Sequence, residues 1–322
     1  MKRLKVNFVD FWDGFVPQKS FIYELLSLHY ELYLVEQPDY LFFSCFGNEN
    51  VRYVSCIKIF FTGENMSPDF NECDYAMAFD HITFGDRYLR LPLFYTFSSF
   101  EQLKQRTCLK RTQEELLNRK FCSYVVSNKN GDIIRNRFYK LLNEYKKIDC
   151  GGQLYNNVGG PVANKLNFIS EYKFNISFEN SKVYGYTTEK LMESFVSETL
   201  PIYWGNPLVG QDFNIKSFIN VHDFNSLEDA VDYVIKVDND ENLYLSYFCK
   251  SNVIDEFGEK WEEHFVDFCR NIFDRDVREV RYLTDNGFQS LYRKKQCQGM
   301  SYYDKVLKIK KALTKVKMQG KK

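Results

Sequence analysis

Between Tyr172 and Pro207 the chain reads YKFNISFENSKVYGYTTEKLMESFVSETLPIYWGNP, and here residue types and spacing point to chemistry. The segment predicts a strand, a polar loop, a helix and a second strand. The loop FENSKVYGY leads into a helix that begins near Thr187. A helix start offers unpaired N–H groups and the positive end of the helix dipole, a setting that suits a phosphate. Lys190 falls in the first turn, where a cation opposes that dipole. Two outcomes relieve the conflict: an anionic ligand bound by the ammonium, or a side chain bent away into solvent.

Such a loop needs a frame to hold it. Near the start, LKVNFVDFW predicts a strand, since β-branched and aromatic residues dominate it. Residues 20–33 predict a helix, and 32–35, 40–45 and 54–61 predict three short apolar strands. Residues 101–120 are charged and lack a continuous apolar face, so a domain boundary is placed near them. Beyond it, strands are expected at 121–127, 173–178, 200–204 and 217–221. Helices are expected at 133–147, 164–171, 188–197 and 227–237, the last with Ala230, Val231, Val234 and Ile235 along one side. Strands alternating with helices imply α/β layers with right-handed crossovers between parallel strands. The expected architecture is two doubly wound, Rossmann-like halves facing a cleft. Residues 1–118 form the first, 119–275 the second, and 276–322 a helical segment. In such sheets ligands bind beyond the carboxyl ends of the strands, where FENSKVYGY falls.

Composition narrows the class further. The 322 residues are 44% hydrophobic and 27% charged, the profile of a globular protein large enough to bury its own core. The 30 Phe and 23 Tyr serve either as core filling or as faces for stacking sugars. Nine cysteines are scattered without a C-x-x-C pair, which signals neither a zinc site nor a redox pair and fits a reducing compartment. His29, His81, His222 and His264 are isolated from one another. No uncharged apolar run approaches the roughly 18 residues of a membrane span. A bacterial-type cytoplasm, or its membrane surface, is the expected location.

The stretch FENS, YGY and TEK followed by LPIYWG resembles the α1,3/4-fucosyltransferase family (glycosyltransferase family 10), in particular its bacterial members. The resemblance continues through FFTGENMSPDFNECDYAMAFD at 60–80, DRYLRLPLF at 86–94, VVSNKNGDIIRNRFYKLL at 125–142 and KSFINVHDF at 216–224. It implies a fold of the GT-B type, with the acceptor bound mainly by the first domain and GDP-fucose mainly by the second. It also implies inversion, from GDP-β-L-fucose to an α-L-fucoside, on O3 of N-acetylglucosamine in N-acetyllactosamine, a Lewis x type product. By resemblance Glu64 is the general base and Arg135 and Lys190 are phosphate partners. Glu189 meets sugar hydroxyls, and Asn180 and Tyr186 are further donor contacts. These roles suit the chemistry: a carboxylate deprotonates the attacking hydroxyl while cations stabilise the departing diphosphate. No D-x-D triplet follows a strand, so neither a metal nor a further obligatory cofactor is expected. Thr187 stands where Val is usual and Asn206 where Ser is usual. Two alternatives remain open: a transferase of another nucleotide sugar, and an inactive glycan-binding or nucleotide-sugar-binding protein.

Net charge is zero, yet residues 301–322 hold eight lysines against the single acid Asp304, about +7 in all. Tyr302, Val306, Ile309, Leu313 and Val316 recur on one helical face. A basic amphipathic helix suits an anionic membrane surface. Peripheral attachment to the inner membrane is therefore expected, in preference to nucleic-acid binding or packing on the domain.

Overall fold

A computed structural model of the chain describes residues 1–105, 109–250, 252, 253, 258 and 260–319, with side chains to residue 310. The first part runs β1 (Lys2–Val9), α1 (Phe21–Ser27), β2 (Tyr30–Leu34), β3 (Tyr40–Phe43), β4 (Ile57–Phe61), β5 (Tyr75–Ala78) and β6 (Tyr88–Arg90). Next come α2 (Ser98–Lys104), α3 (Gln113–Leu117), β7 (Lys120–Tyr124), α4 (Ile133–Tyr145), β8 (Ile148–Cys150), α5 (Lys165–Ile169) and β9 (Tyr172–Phe178). They are followed by α6 (Glu189–Val196), β10 (Leu200–Trp204), β11 (Ile219–Asn220), α7 (Leu227–Asn239) and α8 (Glu241–Ser246). The chain then forms α9 (Trp261–Phe273), α10 (Val277–Val280) and α11 (Gly287–Gln319).

The elements build two sheets, ordered β2-β1-β3-β4-β5-β6 and β11-β10-β9-β7-β8. In the second, every pairing is parallel. In the first, β1 pairs in parallel with β2 and β3, β3 with β4, and β4 with β5. Central parallel strands are covered on both faces and so read as apolar runs rather than alternations. YLFF in β3 and LPIYW in β10 are buried at every position. Both sheets are doubly wound: in each, the chain leaves its first strand for one side and returns to continue on the other. The α/β expectation and its two Rossmann-like halves hold.

The chain divides into two compact units, one of 1–78, 83–89 and 262–322, the other of 79–82 and 90–261. The division expected at 118 and 275 is therefore corrected at both ends. Residues 90–118 join the second unit because α2 packs on α6 and the Phe94 ring lies 4.9 Å from that of Phe213. Residues 262–275 return to the first, where Phe273 meets the rings of Tyr30 at 5.5 Å and Tyr40 at 4.6 Å. The helix expected over 20–33 is also shorter. Ser20 caps it, but from Tyr30 the chain pairs with Lys2 on β1, and sheet pairing overrides the local helical period. The helical segment expected over 276–322 consists of α10 and then α11, which begins only at Gly287, whose φ of 72° suits glycine.

Candidate donor site

In the second sheet the chain steps from β7 to β8 on one side, then crosses to β9 on the other. The switch point of this order lies beyond the carboxyl ends of β7 and β9, the place where doubly wound sheets bind ligands. Two of the expected residues meet there. Asp132 caps α4 by accepting from the Ile134 N–H at 2.9 Å, which sets Arg135 in the first turn. Arg135 Nη1 donates to Asn180 Oδ1 at 2.7 Å, and its Nε to the Tyr124 hydroxyl at 3.3 Å. Asn180 is the second residue past β9, and its carbonyl accepts from the Asp132 N–H at 2.8 Å. Arg135 is 1% exposed, and its Nη2 is buried without a partner among the described residues. A buried donor left unpaired costs about 1–3 kcal/mol, more when charged, and an added acceptor oxygen would relieve that cost. Gly131 makes room for the guanidinium: a Cβ there would lie 1.8 Å from Arg135 Nη1.

Lys190 follows neither course open to it in the sequence. Instead of reaching solvent, its Nζ donates to Glu179 Oε2 at 3.0 Å and to Thr188 Oγ1 at 2.6 Å. Glu179, the residue after β9, is fully buried, and it also accepts from the N–H and hydroxyl of Thr188, each at 2.7 Å. Thr188 thus donates its hydroxyl to Glu179 and does not cap a backbone N–H in the first turn of α6. Burial disfavours the charge on Lys190, but Glu179 and Glu189 outweigh it and hold the ammonium's pKa above the usual value. Glu189 lies 3.6 Å from both Lys190 and Lys165. Burial alone would raise its pKa, yet those two cations bring it down to about 2. Glu189 is therefore an ionised acceptor at neutral pH, able to take two hydroxyl bonds.

A second buried hub orders the loop before α6. Asn206 is fully buried; its Oδ1 accepts from the N–H groups of Gly185 at 2.7 Å and Leu208 at 2.8 Å. Its Nδ2 donates to Thr187 Oγ1 at 3.0 Å. The two positions that depart from the family pattern thus bond to each other. Together they fix the segment carrying Tyr186, whose ring packs edge-on to Phe79 at 5.2 Å. The neighbouring Gly205 N–H donates to His222 Nε2 at 3.2 Å, and burial lowers the pKa of that imidazole.

Glu64 lies in the first unit, in the exposed turn after β4, where its N–H donates to Thr62 Oγ1 at 3.0 Å. The second unit thus brings Arg135 and Asn180 into direct contact, and Lys190 and Glu189 into another pair. Glu179, Tyr124, Thr188 and Gly131 are additional to the residues expected from sequence. Glu179 alone left a trace there, as an acid placed directly after an apolar strand. Among the described residues, no group of three or more His, Cys, Asp or Glu is placed to hold a metal ion.

Residues 117–285 match the family described as glycosyltransferase family 10 (fucosyltransferase), C-terminal part. The chain belongs to glycosyltransferase family 10. Residues 6–97 match the N-terminal domain of alpha-(1,3)-fucosyltransferase FucT. Among family 10 relatives, the chain is 38% identical over 281 residues to alpha-(1,3)-fucosyltransferase FucT of Helicobacter pylori, covering 75% of this chain and 59% of that one. It is 34% identical over 159 residues to mouse 4-galactosyl-N-acetylglucosaminide 3-alpha-L-fucosyltransferase 9, covering 48% and 43% respectively. The chain thus spans roughly half the length of these two relatives. A crystal structure of an alpha1,3-fucosyltransferase with GDP-fucose superposes with a TM-score of 0.74 at 32% identity, covering 89% of this chain and 94% of that one. The same enzyme class with GDP gives 0.74 at 34% identity, covering 89% and 93%. The GT-B fold follows from these matches.

Proposed function

We propose that this family 10 member transfers L-fucose from GDP-β-L-fucose to O3 of N-acetylglucosamine in N-acetyllactosamine-type glycans. The anomeric centre inverts and a Lewis x type product results. The observation that carries the reading is Arg135: buried at the switch point, fixed by Asn180 and Tyr124, and left with an unpaired Nη2. Family membership and the relatives' GDP-fucose and GDP complexes support the same donor. In this reading Glu64 takes the proton from the attacking hydroxyl as the new C–O bond forms. Arg135 meets a diphosphate oxygen, and Lys190 contributes its charge beside it. Negative charge grows on the leaving GDP, and fixed cations stabilise it most in the transition state. Glu189 accepts hydroxyl bonds from a sugar of the donor, and Asn180 and Tyr186 complete that contact. Two cations belonging to the chain thus take the place a metal ion fills elsewhere, and the reading includes no cofactor besides the donor. The inner membrane surface is the proposed location. Tyr302, Val306 and Ile309 are 72%, 48% and 59% exposed on α11, which leaves part of the apolar stripe free for lipid; Leu313 and Val316 lie outside the described side chains.

The base assignment is tested with Glu64→Gln, which keeps shape and removes basicity. GDP affinity should be unchanged and turnover should fall about 10² to 10⁴-fold. Near-normal turnover would remove Glu64 from the reaction.

A further inference from the structure

In the first sheet β1, β3 and β4 lie side by side and run parallel, so the loops that follow them emerge together at one edge. The third of these loops carries Glu64. The first two carry the aromatic residues Trp12 and Phe46, which are 46% and 49% exposed, with ring centres 6.4 Å apart at 80°. The chain's other tryptophans, Trp204 and Trp261, are 3% and 5% exposed. An indole at a switch point, half open to water, offers a contact surface.

The pair is also held rigidly. Trp12 rests edge-on against Phe15 at 4.9 Å, Phe15 stacks on Phe11 at 4.1 Å, and Phe8 joins this group to the fully buried Phe42 at 5.0 Å. Asp10 binds the two loops into one piece. Its carboxylate accepts from the Glu49 N–H at 2.7 Å and the Asn50 N–H at 2.8 Å, and its carbonyl from the Phe46 N–H at 2.9 Å. It does so with φ at 61°, in the left-handed region, and a Cβ on Gly47 would lie 2.3 Å from its Oδ1. Backbone strain that the surroundings hold in place gathers at functional sites.

We propose that Trp12 and Phe46 form a stacking platform for the apolar face of a pyranose ring of the acceptor. The ring in question is the galactose joined to the N-acetylglucosamine that Glu64 deprotonates, so the inference rests on the acceptor reading above. One face of such a ring presents C–H bonds, which meet the negative face of an aromatic system favourably. Neighbouring strands lie about 4.8 Å apart, so the loops after β1 and β4 are separated by roughly 10 Å, the span of a disaccharide.

The test uses the full chain and its own fluorescence. Saturating the GDP-bound protein with N-acetyllactosamine should shift or quench tryptophan emission, because Trp12 alone among the tryptophans leaves water. Trp12→Phe should abolish that signal while keeping the acceptor KM within a few-fold. Trp12→Ala should raise the acceptor KM about ten-fold, with GDP affinity, the check on folding, unchanged. If Trp12→Ala fails that check, Phe46→Ala, read in the same way, takes its place. No emission change at saturation, or an unchanged acceptor KM in the alanine variant, would overturn the platform. Failure of the wider reading is distinct: Glu64→Gln would then retain turnover, whatever the emission shows.

Discussion

Arg135 is a guanidinium taken out of water and given two partners, a hydroxyl and an amide oxygen, neither of them charged. A cation so placed is costly unless something negative completes it. Two substitutions separate its geometry from its charge. Arg135→Lys keeps the charge but loses the fork that holds Asn180 and reaches beyond it, so GDP-fucose affinity should fall ten-fold or more. Gly131→Ala leaves Arg135 in the chain but drives a Cβ into the space of Nη1, so it should weaken GDP in the same direction. Titration calorimetry with GDP checks both; wild-type affinity in either variant would place the guanidinium outside the donor site. The role proposed for Arg135 was suggested only by the family motif, since an arginine at the start of an amphipathic helix is otherwise an ordinary surface residue. The residue's burial came from the structure, through a glycine four positions earlier and an asparagine 45 positions later.

The elements were more legible than their partners. LPIYW matches β10 residue for residue, and the helices expected at 188–197 and 227–237 are found within a residue or two of their ends. Short strands such as β5, β6 and β8 escaped notice, because three or four residues carry no periodicity; they are defined by pairing with neighbours far along the chain. Lys190 shows the same limit at one position. Its conflict with the helix dipole was visible, but its relief by Glu179, eleven residues back at the end of a strand, was not. At this scale the loop after β10 has a built-in pH dependence. Gly205 donates to His222 Nε2, a bond that needs the neutral imidazole, and burial lowers the imidazole's pKa from 6.5. A depressed histidine contributes stability that is fully present above the unfolded pKa and lost as pH falls through the folded one. Urea unfolding from pH 8 to pH 5 should therefore show stability declining below about pH 6.5. The decline should shrink in His222→Gln. An unchanged slope in that variant would mean that the imidazole does not support the loop. Glu189 adds a second loss only at lower pH, below 4.5 and towards about 2.

At the scale of the whole molecule, the residues with proposed chemistry all precede Pro207, whereas α11 extends past residue 300 with an exposed, lysine-rich face. The tail and the chemistry should accordingly be separable. Each lysine near an anionic surface contributes about 1 kcal/mol, screened over a Debye length of roughly 10 Å at 0.1 M salt. Deleting residues after 300 should release the protein from phosphatidylserine vesicles and leave transfer to a soluble acceptor intact. Full-length protein that ignored such vesicles at low salt would end the membrane proposal. A truncated protein that failed to fold would mean that α11 serves the first unit instead. There its base is already tied, by Cys297 to the Val51 carbonyl at 2.8 Å and by Asp304 to Arg52. The central claim concerns donor and bond, and one measurement addresses both. The purified chain is incubated with N-acetyllactosamine and, separately, with GDP-fucose, GDP-mannose, UDP-galactose and UDP-N-acetylglucosamine, and each product is read by mass and NMR. The account expects product from GDP-fucose alone, with an α-fucosyl group on O3 of N-acetylglucosamine. Transfer from another donor, a retained anomeric configuration, or no transfer from any donor would contradict it.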